Sequence, residues 1–227
     1  MTIFYKATDT NGTDFYTGSV DYAAALASGE PLPALSGKGP FPGMGWYHLA
    51  TVPTECIGMS WPCKLYEVEP VVDVRTDNAH LHKVGARSVR VLREIDAHRV
   101  FGPQGELVAA LIDRCRRLSA VEVERLANTR EADWGAALHA ARDTARGAAR
   151  YAAWVAAVDA AWDAAGDAAG DAAGYAAQFA ARDAASALLC RDLIGQVPGW
   201  DQATYDALTG PLRTAIGPVH PDDGRQR

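Results

Sequence analysis

The sequence predicts an α+β protein, a small and mainly antiparallel β domain followed by a long or kinked Ala-rich helical region. Three observations carry that expectation. Roughly the first hundred residues hold most of the prolines, many glycines and the β-branched runs. From Ala136 to Ala185 alanine pairs return at every fourth residue, the register broken only at Thr144. No proline occurs between Pro103 and Pro198, and so rich a run of the best helix former is read as helix.

Taken in order, Ile3 to Thr8 reads as a strand, Asn11-Gly12 as a hairpin turn and Asp14 to Gly18 as the returning segment. Asp21 to Ser28 suits a short helix. Prolines and glycines from Gly29 to Gly45 rule out regular structure and make a loop. Trp46 to Val52, Lys64 to Val74 and Ser88 to Ile95 are three further strands. Alternation places Leu65, Glu67 and Glu69 on one face, with the two acids solvated, and Tyr66 and Val68 on the other. Val89, Val91 and Ile95 are expected to face a core, with Arg87, Arg90 and Arg93 outside.

Gly102-Pro103 closes this domain, and a helix from Gln104 to Arg117 follows. Ser119 and Glu122 form a capping box for the next helix, which leads into the alanine tract. Pro198-Gly199 ends the tract, Asp201 caps a short helix to Leu208, and Gly210-Pro211 starts another turn. The expected division is a β-rich domain at 1–101, a helical module at 102–217 and a frayed tail at 218–227.

A period of four is not the helical period. Four residues advance about 400°, so each alanine pair sits about 40° further round than the last. Either a partner wraps around the helix or the helix breaks; the expected hinge is Gly166 to Gly174, where three glycines weaken the helix. Alanine buries little area, so the gain is close approach of helix axes. Trp134, Trp154, Trp162, Tyr151, Tyr175 and Phe179 are expected to supply the larger buried surfaces.

The charges of the tract are segregated. Arg142, Arg146 and Arg150 are spaced by four, as are Asp159, Asp163, Asp167 and Asp171. The pairs 142/167, 146/163 and 150/159 share a midpoint between Trp154 and Val155, as a two-fold antiparallel homodimer requires. Arg142, Arg146, Arg150, Trp154, Asp159, Asp163 and Asp167 are therefore the candidate interface.

Among 227 residues the net charge is −6, which argues against a grip on nucleic acid through phosphates. Arg114, Arg116, Arg117, Arg125 and Arg130 read as a solvated helix surface. The opening MTIFYKATDT has no apolar core of a signal peptide, and Asp or Arg punctuates every apolar stretch, so a soluble, cytoplasmic protein without a membrane span is expected. Four cysteines there are expected to be thiols. Cys56, Cys63, His80 and His82 lack zinc-loop spacing, so no metal is expected. No phosphate loop, dinucleotide fingerprint or nucleophile elbow occurs, and no cofactor is expected.

The segments Gly45-Trp46-Tyr47-His48, Pro62 to Pro70 and Arg90-Val91-Leu92-Arg93-Glu94, followed by an alanine/aspartate/tryptophan tetrad tract, resemble uncharacterised proteins of actinobacteria and their phages. Those proteins join a small domain of unknown function to a degenerate Ala-rich repeat. A weaker resemblance, in a Tyr-containing strand followed by one like Lys64 to Pro70, is to small rifamycin-modifying ADP-ribosyltransferases. It implies His48 and Glu69 as the catalytic residues to test. Phe4-Tyr5-Lys6 stands where that family has its His-Gly cofactor clamp. The leading expectation is a binding or assembly protein, a β-rich recognition domain on a self-associating helical module; the alternative is a transferase acting in an N-terminal cleft.

Overall fold

Antiparallel pairing organises the first part of the chain. A computed structural model describes residues 2–56, 59–77, 79–128, 135–148, 150–169 and 174–223, and the chain divides into two units, Met1–Val100 and Phe101–Arg227. The architecture is α+β.

In the first unit β1 (Phe4–Thr8), α1 (Tyr22–Ser28), β2 (Tyr47–Ala50), β3 (Lys64–Asp77) and β4 (His80–Ile95) follow one another. The strands close into a barrel in the order β1-β2-β4-β3, with β1 also paired to β3. Residues opposite one another share a face: Phe4 meets Val68, Tyr47 meets Ala86, and Leu49 meets Val84. These six belong to the barrel core, with Tyr66, Val89, Val91 and Leu32, and Tyr22 and Ala25 of α1 join them. The helix starts where expected because the Asp21 carboxylate accepts the Ala24 amide at 2.8 Å.

Three expectations change here. Asp14 to Gly18 is no strand, because the Asp14 carboxylate draws in the amides of Thr17 (2.8 Å) and Val20 (2.9 Å) and coils the segment around itself. β4 begins at His80 rather than Ser88, since pairing with β3 runs out to Asp77↔His80. Glu67 is buried rather than solvated, and its carboxylate takes two hydrogen bonds from Arg93, at 2.8 and 3.1 Å.

The second unit is helical: α2 (Gly105–Cys115), α3 (Ala120–Ala127), α4 (Gly135–Gly147), α5 (Tyr151–Ala169), α6 (Gly174–Leu189) and α7 (Gln202–Ile216). The capping box at α3 forms as expected, Ser119 N–H donating to Glu122 Oε2 at 2.8 Å and Glu122 N–H to Ser119 Oγ at 3.4 Å. Hydrogen bonding to Ser119 outweighs desolvation and, with the Arg114 guanidinium, brings the Glu122 carboxyl down to about 2 from 4.5. A depressed acid contributes stability above its unfolded pKa that is lost as pH falls toward the folded one. Wild-type unfolding midpoints are therefore expected to decline between pH 4.5 and about 2 more steeply than those of Glu122→Gln. Parallel acid limbs in denaturant titrations would refute this.

The tract is not one rod. α4 ends at Gly147 and α5 starts at Tyr151, a break the repeat did not announce. There the Arg150 amide reaches back to Ala145 O at 2.8 Å, a five-residue span, and its guanidinium takes both carboxylate oxygens of Asp192 at 2.8 and 2.9 Å. Gly166 lies inside α5, but the expected break at 166–174 is met, since α5 ends at Ala169 and α6 begins at Gly174; residues 170–173, Asp171 among them, lie outside the described residues, as do Trp134 and Arg130. α5 and α6 run antiparallel, since Trp154 Nε1 donates to Ser186 Oγ at 2.6 Å and Trp162 meets Phe179 edge-on at 5.0 Å.

Breaking the tract resolves the drift. From Ala153 to Ala165 the alanine face turns only about 120°, so it stays within reach of one neighbour. Ala157, Ala161 and Ala165 of α5, and Ala177, Ala181 and Ala185 of α6, are wholly buried. The aromatics do not fill this core as expected: Tyr151, Tyr175 and Phe179 are exposed.

α7 runs past Leu208 and through Pro211, because the preceding Gly210 has no Cβ to meet the proline ring. The tail is not frayed up to Asp223, whose Oδ2 accepts the amides of Val219 (3.0 Å) and His220 (2.9 Å).

Candidate functional site

β1 and β2 meet at a single register position, Tyr5↔Ala50. A cleft of about 690 Å³ opens along this weakly joined seam. Its lining takes Lys6, Tyr47 and Leu49 from the inward faces of the two strands and Tyr5, Ala7, His48 and Ala50 from their outward faces. The opening therefore passes through the barrel wall. Asp14 to Thr17 and Pro42 to Met44 form the rim, where Tyr16 is 87% and Met44 84% exposed. Large apolar side chains held out at a cleft mouth are the surface a ligand would cover.

Local chemistry builds the rim. The Asp9 carboxylate Oδ1 accepts the amides of Asn11, Gly12 and Thr13 at 2.9, 2.9 and 2.8 Å, making the tight turn after β1. Gly12 has φ +97°, and a Cβ there would stand 2.5 Å from Ala23 Cβ, so only glycine seats the turn against α1. On the other side, Gly85 of β4 leaves room for the Phe41 ring, which lies edge-on to His48 at 5.3 Å.

Lys6 stands at the centre. It shares the inward face of β1 with Phe4 and Thr8 and lies opposite Tyr66. Its Nζ sits 5.6 Å from the Tyr22 ring centroid, and no described residue gives it a hydrogen bond or an ion pair. Desolvation lowers its pKa and the Lys83 charge adds to that, against Cys56 and Asp14. Cys56 offers little counter-charge, because burial pushes its thiol up to about 12. Asp14 is buried, which would raise its pKa, but the amides of Thr17 and Val20, the Thr17 hydroxyl and the Lys6 charge bring it below the ordinary value. His48 is kept neutral by desolvation; its Nε2–H donates to Gly43 O at 3.1 Å, which leaves Nδ1 as an acceptor.

The expected catalytic pair does not assemble here. His48 lines the cleft, but Glu69, on β3 opposite Arg90, does not. Lys6, Asp14 and Tyr22 were not singled out from the sequence. The one readable signal was a lysine at the inward position of an otherwise core-forming strand, FYKAT.

Of the seven candidate interface residues, Asp159, Asp163, Asp167 and Arg146 are exposed, and Arg142 is half-buried. Arg150 is spent on Asp192 and Trp154 on Ser186. Desolvation, with the neighbouring Asp163, raises the Asp159 pKa. The four cysteines are free thiols, all buried. Among the described residues no cluster of His, Cys, Asp or Glu has the makings of a metal site.

Set against protein-family models, curated proteins and solved structures, the chain matches none.

Proposed function

We propose that this is a non-enzymatic binding protein, in which the barrel domain takes a small, largely apolar ligand into the β1–β2 cleft and the helical unit serves as its carrier. The single observation that carries the reading is the β1–β2 cleft with its aromatic walls, its exposed rim and an amine set over the Tyr22 ring. Tyr22, Trp46 and Tyr47 offer ring surface, and Lys6 and His48 Nδ1 offer a few oriented polar atoms, the composition of small-molecule sites.

Tyr16 and Met44 touch little of the fold, so Tyr16→Ala and Met44→Ala are expected to leave stability within about 0.5 kcal/mol. Binding of small aromatic fragments, followed by NMR on the full chain, is expected to perturb Tyr22, Tyr47 and His48 and to weaken about fivefold or more in either variant. Fragments that perturb no cleft residue would sink the reading.

The transferase alternative keeps one supporting observation, His48 in the cleft; NAD hydrolysis by the full chain tests it. Self-association of the helical unit is proposed through the exposed Asp159–Asp163–Asp167 row and Arg146, with sedimentation velocity as the check. No helix among the described residues is long and apolar enough to cross a membrane; action in the cytoplasm is part of the proposal.

A further inference from the structure

Lys6 stands half-buried on the inward face of a barrel strand, in a cleft open to solvent, with its ammonium over the Tyr22 ring and without a hydrogen-bond or ion-pair partner among the described residues. We infer that Lys6 captures carbonyl compounds: its Nζ forms a Schiff base with an aldehyde or ketone seated in the β1–β2 cleft. This rests on the reading of the cleft as a ligand site and names the chemistry of that ligand.

The surroundings select a carbonyl over an anion. Asp14 and Glu55 line the same cleft and offset the charges of Lys6 and Lys83, so the cleft has no excess positive charge to hold a phosphate or carboxylate. Part of the wall is ring and aliphatic surface from Tyr22, Trp46, Tyr47 and Leu49, which suits an uncharged compound, beside the polar side chains of Thr17, Ser19 and His48. Asp14 does not hold the ammonium in place, since its two oxygens are already taken by Thr17 and Val20. An amine desolvated in an apolar pocket with a second lysine nearby is the arrangement that keeps a lysine nucleophilic. The titratable and charged groups around it are Asp14, Tyr22, Cys56 and Lys83, with Tyr47, His48 and Glu55 elsewhere on the cleft wall.

In the step itself the Nζ lone pair attacks the carbonyl carbon, and the C=O π pair moves to oxygen. A proton passes from nitrogen to oxygen through cleft water, giving the carbinolamine. The nitrogen lone pair then forms C=N as the protonated oxygen leaves as water. One amine and one carbonyl become one imine and one water, with no oxidant or reductant.

The chain has four lysines, Lys6, Lys38, Lys64 and Lys83, so selectivity is directly readable. Full-length protein is incubated with benzaldehyde at pH 7, trapped with cyanoborohydride, digested and mapped by mass spectrometry. Lys6 is expected to carry several-fold more adduct than any of the other three, because the cleft seats the aldehyde beside it and desolvation leaves more of its amine uncharged. Its labelling is expected to fall off at lower pH than theirs does. Lys6→Met is expected to lose the adduct, and Lys6→Arg, which keeps a cation in place, to lose it equally.

Benzyl alcohol, which fits the same walls but cannot form an imine, separates the two readings. Equal labelling of all lysines, with benzyl alcohol still perturbing Tyr22 and Tyr47, overturns the Schiff base and leaves the cleft standing. Equal labelling with no perturbation overturns both. Inorganic phosphate shifting the same resonances in wild type, and not in Lys6→Met, marks an anion site and overturns the inference.

Discussion

Ala161→Leu is expected to destabilise the helical unit by about 3 kcal/mol, a loss of about 6 to 12 °C in melting temperature. Position 161 is wholly buried on α5, and the antiparallel register set by Trp154–Ser186 and Trp162–Phe179 brings it level with Phe179 and the buried Ala180. Methyl groups face methyl groups there, so three added carbons have no space to enter unless the helices separate. Separation forfeits the dispersion contacts along the whole stripe, because those contacts weaken steeply with distance. Asp163→Ala, on the exposed face of the same helix, is the control and is expected to stay within about 0.5 kcal/mol. Guanidinium titrations followed by circular dichroism at 222 nm measure both. Equal midpoints for the two variants would show that the alanine stripe is not a packing surface.

That stripe is also where sequence and structure agree most closely, and the limits of the agreement are physical. A four-residue period dictates that one straight helix cannot hold its small face against one neighbour. It does not say where the chain turns. The α4–α5 break depends on Arg150 meeting Asp192, 42 positions away, and no local pattern encodes that encounter. The same break removes the common axis on which the Arg and Asp rows were expected to form a symmetric interface. In the barrel, the short helix at Asp21 to Ser28 and the alternation in Lys64–Glu69 are local and were legible. The cleft was not, because it arises where β1 and β2 part and where Asp14 coils its own loop; strand parity alone could only mark Lys6 as an inward-facing charge.

Trp200→Ala is expected to have the largest effect of any single substitution in the helical unit, about 4 kcal/mol. Pro198-Gly199 reads in the sequence merely as the end of the tract, but the residue after it is the anchor of the α6–α7 connection. The Trp200 ring is almost completely buried, and its Nε1–H donates to Cys190 O at 2.8 Å. Its backbone completes the turn, accepting from Gly195 N–H at 2.9 Å and donating to Val197 O at 3.1 Å. Truncation thus leaves a cavity the size of an indole and removes one of the two hydrogen bonds on the Cys190 carbonyl, which still accepts Leu193 N–H at 2.9 Å. Trp200→Phe separates the two effects: it keeps most of the ring volume but cannot donate, so a loss of about 1 to 2 kcal/mol is expected, from the lost indole hydrogen bond and the unfilled remainder of the pocket. Denaturant midpoints for the pair should therefore fall in the order wild type, Phe, Ala. A Trp200→Ala protein as stable as wild type would mean that the connection is held by α6 and α7 themselves and that the buried indole is dispensable.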